Sequence, residues 1–310
     1  MTVPIDFLKI SGSGNDFICI DNRDGRFDEI LAGPRQVENF VRLLCRRGMS
    51  VGADGVIFAC RNEVEGFSDL SARHYEPDGS EAELCGNGVA CFTRWAIQNG
   101  WTNGGEVRIL TTAGVVRGKP VDGDYIRVCI PLPENARSGL RIGADGQSWD
   151  CDYVVTGVPH LVVYVQQDVS GLGMERIGPA LRYHGDFAPR GVNVNFTQVL
   201  GEGQLAVRTW EFGVEGETLA CGTGSAAAAI MAMRRFRWGE QYSSGDRPVL
   251  VRTRGGDTLR IYSSHAPDGN VTDLCLETSV RMIFTGCLHD ELIEAAMGSL
   301  TTSASGEVRA

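Results

Sequence analysis

The sequence predicts an α+β protein, and three observations predict it. Short apolar runs bounded by Gly, Asn, Asp and Pro recur along the 310 residues, few segments carry apolar residues at helical spacing, and two of those few begin alike, directly after a Cys-Gly-x-Gly turn. In the first part the runs at 17–21, 55–60, 106–112 and 125–130 read as strands. The second part adds 149–157, 160–166, 203–212, 248–253 and 257–263. Helical spacing marks 33–47, Val89 to Gln98, 174–184 and Ser225 to Arg235.

At roughly 100 to 200 residues per domain, the length points to two domains. Pro131 and Pro133 hold themselves and the residues before them extended, so the predicted boundary falls there, giving segments 1–131 and 132–275. Residues 298–310 lack apolar mass and are expected to be a disordered tail.

With 39 acidic against 29 basic residues the chain carries a formal charge of −10, which repels nucleic acid and anionic membranes and leaves a small molecule as the expected partner. The start of the chain shows no basic leader followed by an apolar run, and no stretch approaches the ~18–20 apolar residues of a membrane span. The expected location is cytoplasmic. The ten cysteines form no CxxC pair and no Cys/His cluster, so no metal is expected. Cytoplasmic thiols stay reduced, and most of them, Cys19 and Cys129 among them, read as small apolar fillers.

The string Cys-Gly-x-Gly-x-Ala occurs twice, at Cys85 to Ala90 and at Cys221 to Ala226, and a fainter match pairs Gly14 to Ile20 with Gly157 to Val163 in the same order. Duplication of one domain explains both. A cysteine at a helix start meets unpaired first-turn amides and the positive end of the peptide dipoles, which favour the thiolate and can hold a carboxylate. Glycines next to it leave those amides open to close approach. Removing an α-proton builds charge on the substrate carboxylate, and amides aimed there can stabilise it without a pyridoxal sink. Inversion also needs one group to take the proton and a second to return one on the opposite face. Cys85 and Cys221 fit that pair, one as thiolate and one as thiol.

At these residues the chain resembles the diaminopimelate epimerase family. The matching strings are GSGNDF (12–17), GADG (52–55), DGSEAELCGNG (78–88), Pro159-His160, NVNF (193–196) and GETLACGTG (216–224). The resemblance implies two pseudosymmetric domains, each a curled, mainly antiparallel sheet around a central helix, with 276–297 returning to the first domain, no cofactor, and a homodimer as the family's assembly. It makes Cys85 and Cys221 the catalytic pair, with His160 and Glu211 as polar neighbours of the thiols. It further implies that Gly86, Asn87, Gly88, Gly222 and Thr223 hold the α-carboxylate and that Asn15 and Asn193 bind substrate.

Three departures fall where the family grips the far end of its substrate. Glu76-Pro77 stands for the usual Asn-Ala, Val158 for the Asn before Pro-His, and Phe212 for the Arg of Glu-Arg-Gly. A guanidinium binds a carboxylate through two parallel hydrogen bonds, and Phe212 offers only a ring. The expected activity is therefore racemisation or epimerisation of an amino acid without a distal carboxylate, with diaminopimelate as the alternative. Two further readings stand beside it: a hydrolase with one cysteine nucleophile and His160 as base, and a non-catalytic amino-acid-binding protein. Two activated thiols serving one α-carbon should be oxidisable to a disulfide, which needs Cα atoms within ~6 Å. Treatment with a mild oxidant is accordingly expected to abolish activity and a reductant to restore it; full activity after oxidation would count against the pairing.

Overall fold

The structure, a computed structural model, describes residues 4–61, 68–82, 85–102 and 105–293. The tail expected to be disordered, 298–310, lies outside them. The chain divides into two compact units, one of residues up to Pro120 together with those from Val280 onward, the other Val121–Ser279.

In the first unit the strands are β1 (Ile5–Gly12), β2 (Asn15–Asn22), β3 (Gly55–Cys60), β4 (Leu70–Tyr75), β5 (Val107–Thr111) and β6 (Gly114–Pro120), hydrogen-bonded in that order. The helices are α1 (Asp28–Ala32), α2 (Pro34–Cys45) and α3 (Gly86–Gln98). β1 and β2 form a hairpin closing on the pair Gly12 and Asn15, with Ser13 (φ 47°) and Gly14 (φ 98°) between them. A two-residue turn with both central φ positive matches strand twist, and Gly14 takes the conformation that side chains resist. α3 packs against β1, β2, β3 and β6, and its residues from Gly86 to Thr93 are all buried, so the sheet wraps the helix. A second core lies on the other side, where Val37, Phe40, Val41 and Leu44 of α2 meet Ile18, Ile20, Val56 and Phe58.

The second unit holds β7 (Tyr125–Cys129), β8 (Glu134–Ala144), β9 (Gln147–Thr156), β10 (Val158–Tyr164), β11 (Asn193–Gly201), β12 (Gln204–Glu211), β13 (Gly216–Thr218), β14 (Val249–Arg252), β15 (Thr258–His265) and the first half of β16 (Val271–Leu288). Its helices are α4 (Met174–Arg182) and α5 (Gly222–Phe236). α5 packs on β9, β10, β11, β12, β14 and β15, and every residue from Gly222 to Met233 is buried. A helix enclosed on all sides must be apolar all round, and the run Ala226 to Ala229 is also small enough to let the strands close around it.

The two units share one plan. β2 and β3 are parallel with α2 crossing between them, as are β10 and β11 with α4. β4 and β5 are parallel across α3, as are β12 and β14 across α5. The faint match of Gly14–Ile20 with Gly157–Val163 therefore joins equivalent strands, each preceded by a positive-φ glycine, with Gly157 at φ 81°. β1 pairs antiparallel with β2 and β16, β3 with β4, β5 with β6, β8 with β9, β9 with β10, β11 with β12, β12 with β13, β14 with β15, β15 with β16 and β7 with β16.

Two particulars differ from the sequence reading. The units part at Pro120 and Val121, not at Pro131 and Pro133, because β7 pairs with residues 275–279 and belongs to the second unit. The stretch after those prolines is strand β8, which Glu134 opens. Residues from Val280 to Leu288 continue β16 alongside β1 in the first unit. Cys129 is not a reduced filler: it forms a disulfide with Cys275, its direct partner across β7 and β16, with Cα atoms 4.1 Å apart. Nothing in the sequence marks a pairing across 146 residues.

The close fit around α5 carries a prediction. Ala228→Leu should lower stability by about 1–3 kcal/mol through overpacking, read as a reduced urea midpoint with unchanged slope; an unaltered midpoint would mean the sheet has room to spare around the helix.

Candidate active site

In the first unit β4 leads through the turn Glu76–Ser80 to Cys85, the residue before α3. Cys85 has extended backbone (φ −128°, ψ 110°), and its Sγ accepts from the Gly88 amide at 3.4 Å. The thiol thus takes the capping position usually held by Ser or Asp, and the positive end of α3 lies on it. Asn87 is buried, and its Nδ2 donates to Asn15 Oδ1 at 2.6 Å, which ties the β1–β2 turn to the helix start. Asp16 fixes that turn from the far side through ion pairs to Lys9 and Arg47. Burial pushes its carboxyl up, but Arg47 and Lys9 outweigh it and hold the pKa at about 2. The structure thereby brings together Asn15, Cys85, Gly86, Asn87 and Gly88. Glu76 lies in the turn that follows β4, its amide donating to the Ser80 carbonyl.

In the second unit Cys221 precedes α5 with nearly the same backbone (φ −124°, ψ 111°), yet here no side chain caps the helix. Its Sγ lies 3.6 Å from Thr223 Oγ1. His160, on β10 and fully buried, places Nε2 3.0 Å from that same hydroxyl, and its Nδ1 lies 3.1 Å from Asn195 Nδ2. The tautomer follows from the surroundings. Asn195 Oδ1 accepts from Thr209 Oγ1 at 3.0 Å and Nδ2 donates to the Leu161 carbonyl at 3.2 Å, so Nδ2 is the donor facing Nδ1. Nε2 then carries the proton and donates to Thr223, leaving the threonine hydrogen for Cys221 Sγ. Burial lowers the His160 pKa to about 3, so the ring is neutral. His160 therefore reaches the thiol through Thr223.

Asn193 accepts from the Phe212 amide at 2.7 Å and donates to the Pro159 carbonyl at 3.4 Å, joining the loop after β12 to the start of β10. Val158 opens β10, and Glu211 closes β12 with its carbonyl accepting from the Glu215 amide at 2.9 Å. The Phe212 ring is 41% exposed and lies beneath two guanidiniums, Arg182 with Cζ 4.3 Å and Arg190 with Cζ 5.8 Å from its centroid. Arg182 is buried and pairs with Glu215 at 3.0 Å.

The sequence reading missed Asn195 and Thr209. The signal for Asn195 was present, since alternation puts Asn193 and Asn195 on one face of β11. Thr209 carries no such mark.

The family model described as diaminopimelate epimerase matches residues 7–124 and 153–271. A diaminopimelate epimerase of Aquifex aeolicus (strain VF5) is 38% identical over 296 residues, covering 94% of this chain and 100% of the relative. One of Archaeoglobus fulgidus is 37% identical over 263 residues, 81% of this chain and 87% of the relative. Among solved structures, a phenazine biosynthesis protein of the PhzF family from Bacillus anthracis superposes with TM-score 0.70 at 14% identity, over 93% of this chain and 100% of that one. A hydroxyproline epimerase from Agrobacterium vitis gives 0.67 at 15%, over 92% of each chain. At these identities the likeness is one of fold.

Two measurements test the hydrogen-bonded chain behind Cys221. Thr223→Val removes its middle link and strands the His160 N–H in the core, so kcat should fall about 10- to 100-fold while the protein stays folded. The pH dependence has a definite sign. Below pH 6.5 the unfolded state takes a proton that buried His160 refuses until about pH 3, so stability falls as pH drops through that window. His160→Gln should show a shallower loss of stability in acid; an equal slope would place the acid sensitivity elsewhere.

Proposed function

Because the chain belongs to the diaminopimelate epimerase family and is an isomerase of the epimerase and racemase class, we propose that it inverts the α-carbon of a free amino acid with Cys85 and Cys221 as its two acid/base groups, and that this amino acid lacks a distal carboxylate. What carries the first half is the repetition of one device, a thiol preceding a helix whose opening turns are buried and whose first-turn amides lie beside it. The amides of Gly86, Asn87, Gly222 and Thr223 are suited to the substrate carboxylate, where charge develops as the α-proton leaves. One thiolate takes that proton and the other thiol supplies its replacement, so the chemistry balances without a cofactor. His160, through Thr223, offers a hydrogen bond to Cys221 in its charged form.

Phe212 carries the second half. It stands where the family has arginine, and the nearest buried guanidinium, Arg182, is already committed to Glu215. A distal carboxylate would lose its bidentate partner, at a cost on the order of 100-fold or more in discrimination. Glu76 suits a cationic side chain, and Val158 an apolar one. Diaminopimelate is the second reading. The relatives' names favour it, and so does the exposed Arg190, whose guanidinium lies over the Phe212 ring and could serve a carboxylate there. A cytoplasmic location and a homodimer belong to the same proposal. No helix among the described residues is long and apolar enough to cross a membrane.

The test is incubation in D2O, under reducing conditions, with a panel of L-amino acids and L,L-diaminopimelate, read by α-deuteration and chiral chromatography. Exchange into a cationic or apolar amino acid is expected; exchange into diaminopimelate alone would establish the second reading. Cys85→Ala and Cys221→Ala should each lower kcat by about 10²- to 10⁴-fold. A hydrolase with a single nucleophile would tolerate one of the two replacements, and a binding protein would show no wash-in at all.

A further inference from the structure

The sheet of the second unit turns one face to α5 and carries a groove on the other. Alternation along β14 buries Val249 and Val251 on the side of α5 and leaves Leu250 and Arg252 exposed on the outer side. Register places Gln198 of β11, Ala206 of β12 and Arg252 of β14 in one row across three neighbouring strands. With strands about 4.8 Å apart, the small Ala206 leaves a gap between a carboxamide and a guanidinium. Arg254, just after β14, and Ser170, in the turn Val169–Gly171, border the same space. The groove has a volume of about 570 Å³, inside the ~300–1,000 Å³ of small-molecule sites.

The chain carries a formal charge of −10, yet three arginines line this groove, and among its lining residues Asp168 alone is acidic. Part of that charge is used locally. Glu217, buried, holds Arg208 through two contacts of 2.5 and 2.7 Å and Arg254 through Nη1 at 2.5 Å. The rest of Arg208 is spent on the carbonyls of Val169, Ser170 and Leu172 at 2.9, 3.0 and 3.1 Å. Asp168 caps the short turn, its Oδ1 accepting from the Ser170 amide at 2.9 Å. Arg252 is different: among the described residues its guanidinium has no ion pair, hydrogen bond or ring partner. Gln198 Oε1 accepts from the Val169 amide at 3.2 Å, which fixes the carboxamide and leaves Nε2 as an open donor. Arg254 likewise keeps Nε and Nη2 open.

We propose that this groove is a binding site for a phosphate monoester of a small organic molecule. The phosphate is held by Arg252, Gln198 Nε2 and the open edge of Arg254, because a guanidinium meets phosphate oxygens through two parallel N–H donors and is less strongly hydrated than an ammonium. A dianion suits the uncancelled charge: Arg252 has no counter-ion, and Arg254 shares the single charge of Glu217 with Arg208. Inorganic phosphate alone would leave most of the volume empty, and the exposed Leu200 at the border offers an apolar surface to the organic part of an ester. The groove lies on the face turned away from α5, and the proposal does not rest on the two-thiol reading.

Isothermal titration of the full chain with glucose 6-phosphate and with AMP, at fixed ionic strength, tests it without turnover. Saturable binding of at least one of the two esters is expected, with Kd below about 1 mM, and none of glucose or adenosine. Arg252→Glu, at an exposed position, should weaken that binding about tenfold or more by turning attraction into repulsion. Gln198→Glu keeps the acceptor for the Val169 amide and removes the open donor, so it should weaken binding in the same direction and gives the same test should Arg252→Glu fail to fold. The helix starts before α3 and α5 can also hold an anion, and the variants decide between the places. Binding unchanged in folded Arg252→Glu puts the phosphate elsewhere and overturns the proposal. Saturable binding of neither ester overturns it too, as does equal affinity for inorganic phosphate or for the unphosphorylated molecule.

Discussion

Enclosing a helix completely in a sheet leaves it one way to meet the outside, through its ends. The opening turns of α3 and α5, Gly86–Thr93 and Gly222–Met233, are wrapped in this way, and the apolar, small-residue character of α5 follows from it. The amides of the first turn are the exception to the saturation of the backbone, because no residue of the helix can pair with them. A buried helix start therefore needs a cap or a ligand. Cys85 and Cys221 stand at these two places, with backbone angles within a few degrees of each other. The hairpin turn at Gly14, the return at Gly157 and the strands that follow them serve to hold side chains against those helix starts.

The two halves keep the device and change its support. Around Cys221 a continuous line of hydrogen bonds runs from Thr209 through Asn195, His160 and Thr223 to the sulfur. Around Cys85 the thiol is bound by the Gly88 amide, and the nearby imidazole is His74, reaching in from β4. Both histidines are kept neutral by burial, and His160 orients its hydrogen bonds without adding a charge.

Much of this organisation was legible in the chain. Runs such as Gly55–Cys60 and Val158–Tyr164 declare themselves by their apolar content, and the repeated Cys-Gly-x-Gly announced two related helix starts. β8 escaped notice because nearly all its residues are exposed, which removes the alternation by which a strand is recognised. β16 passes from one unit to the other, and the partner that gives each half its place is distant in sequence. That is also why the prolines at 131 and 133 do not mark the boundary between the units: they lie in the connection between two strands of one unit.

The sequence by itself determined the family and the two related helix starts, because a thiol before a glycine-rich helix start is a local arrangement written in consecutive residues. It also exposed the change at Phe212, since that replacement sits inside a recognisable string. Only the tertiary structure decided what surrounds the two thiols. The hydrogen bonds that lead to Cys221 come from β10, β11, β12 and α5, the one to Cys85 Sγ from α3, and the Cys129–Cys275 bridge joins residues 146 apart in sequence. Hydrogen bonds and cavities are set by register between strands, and register is a property of the packed sheet that no stretch of sequence contains.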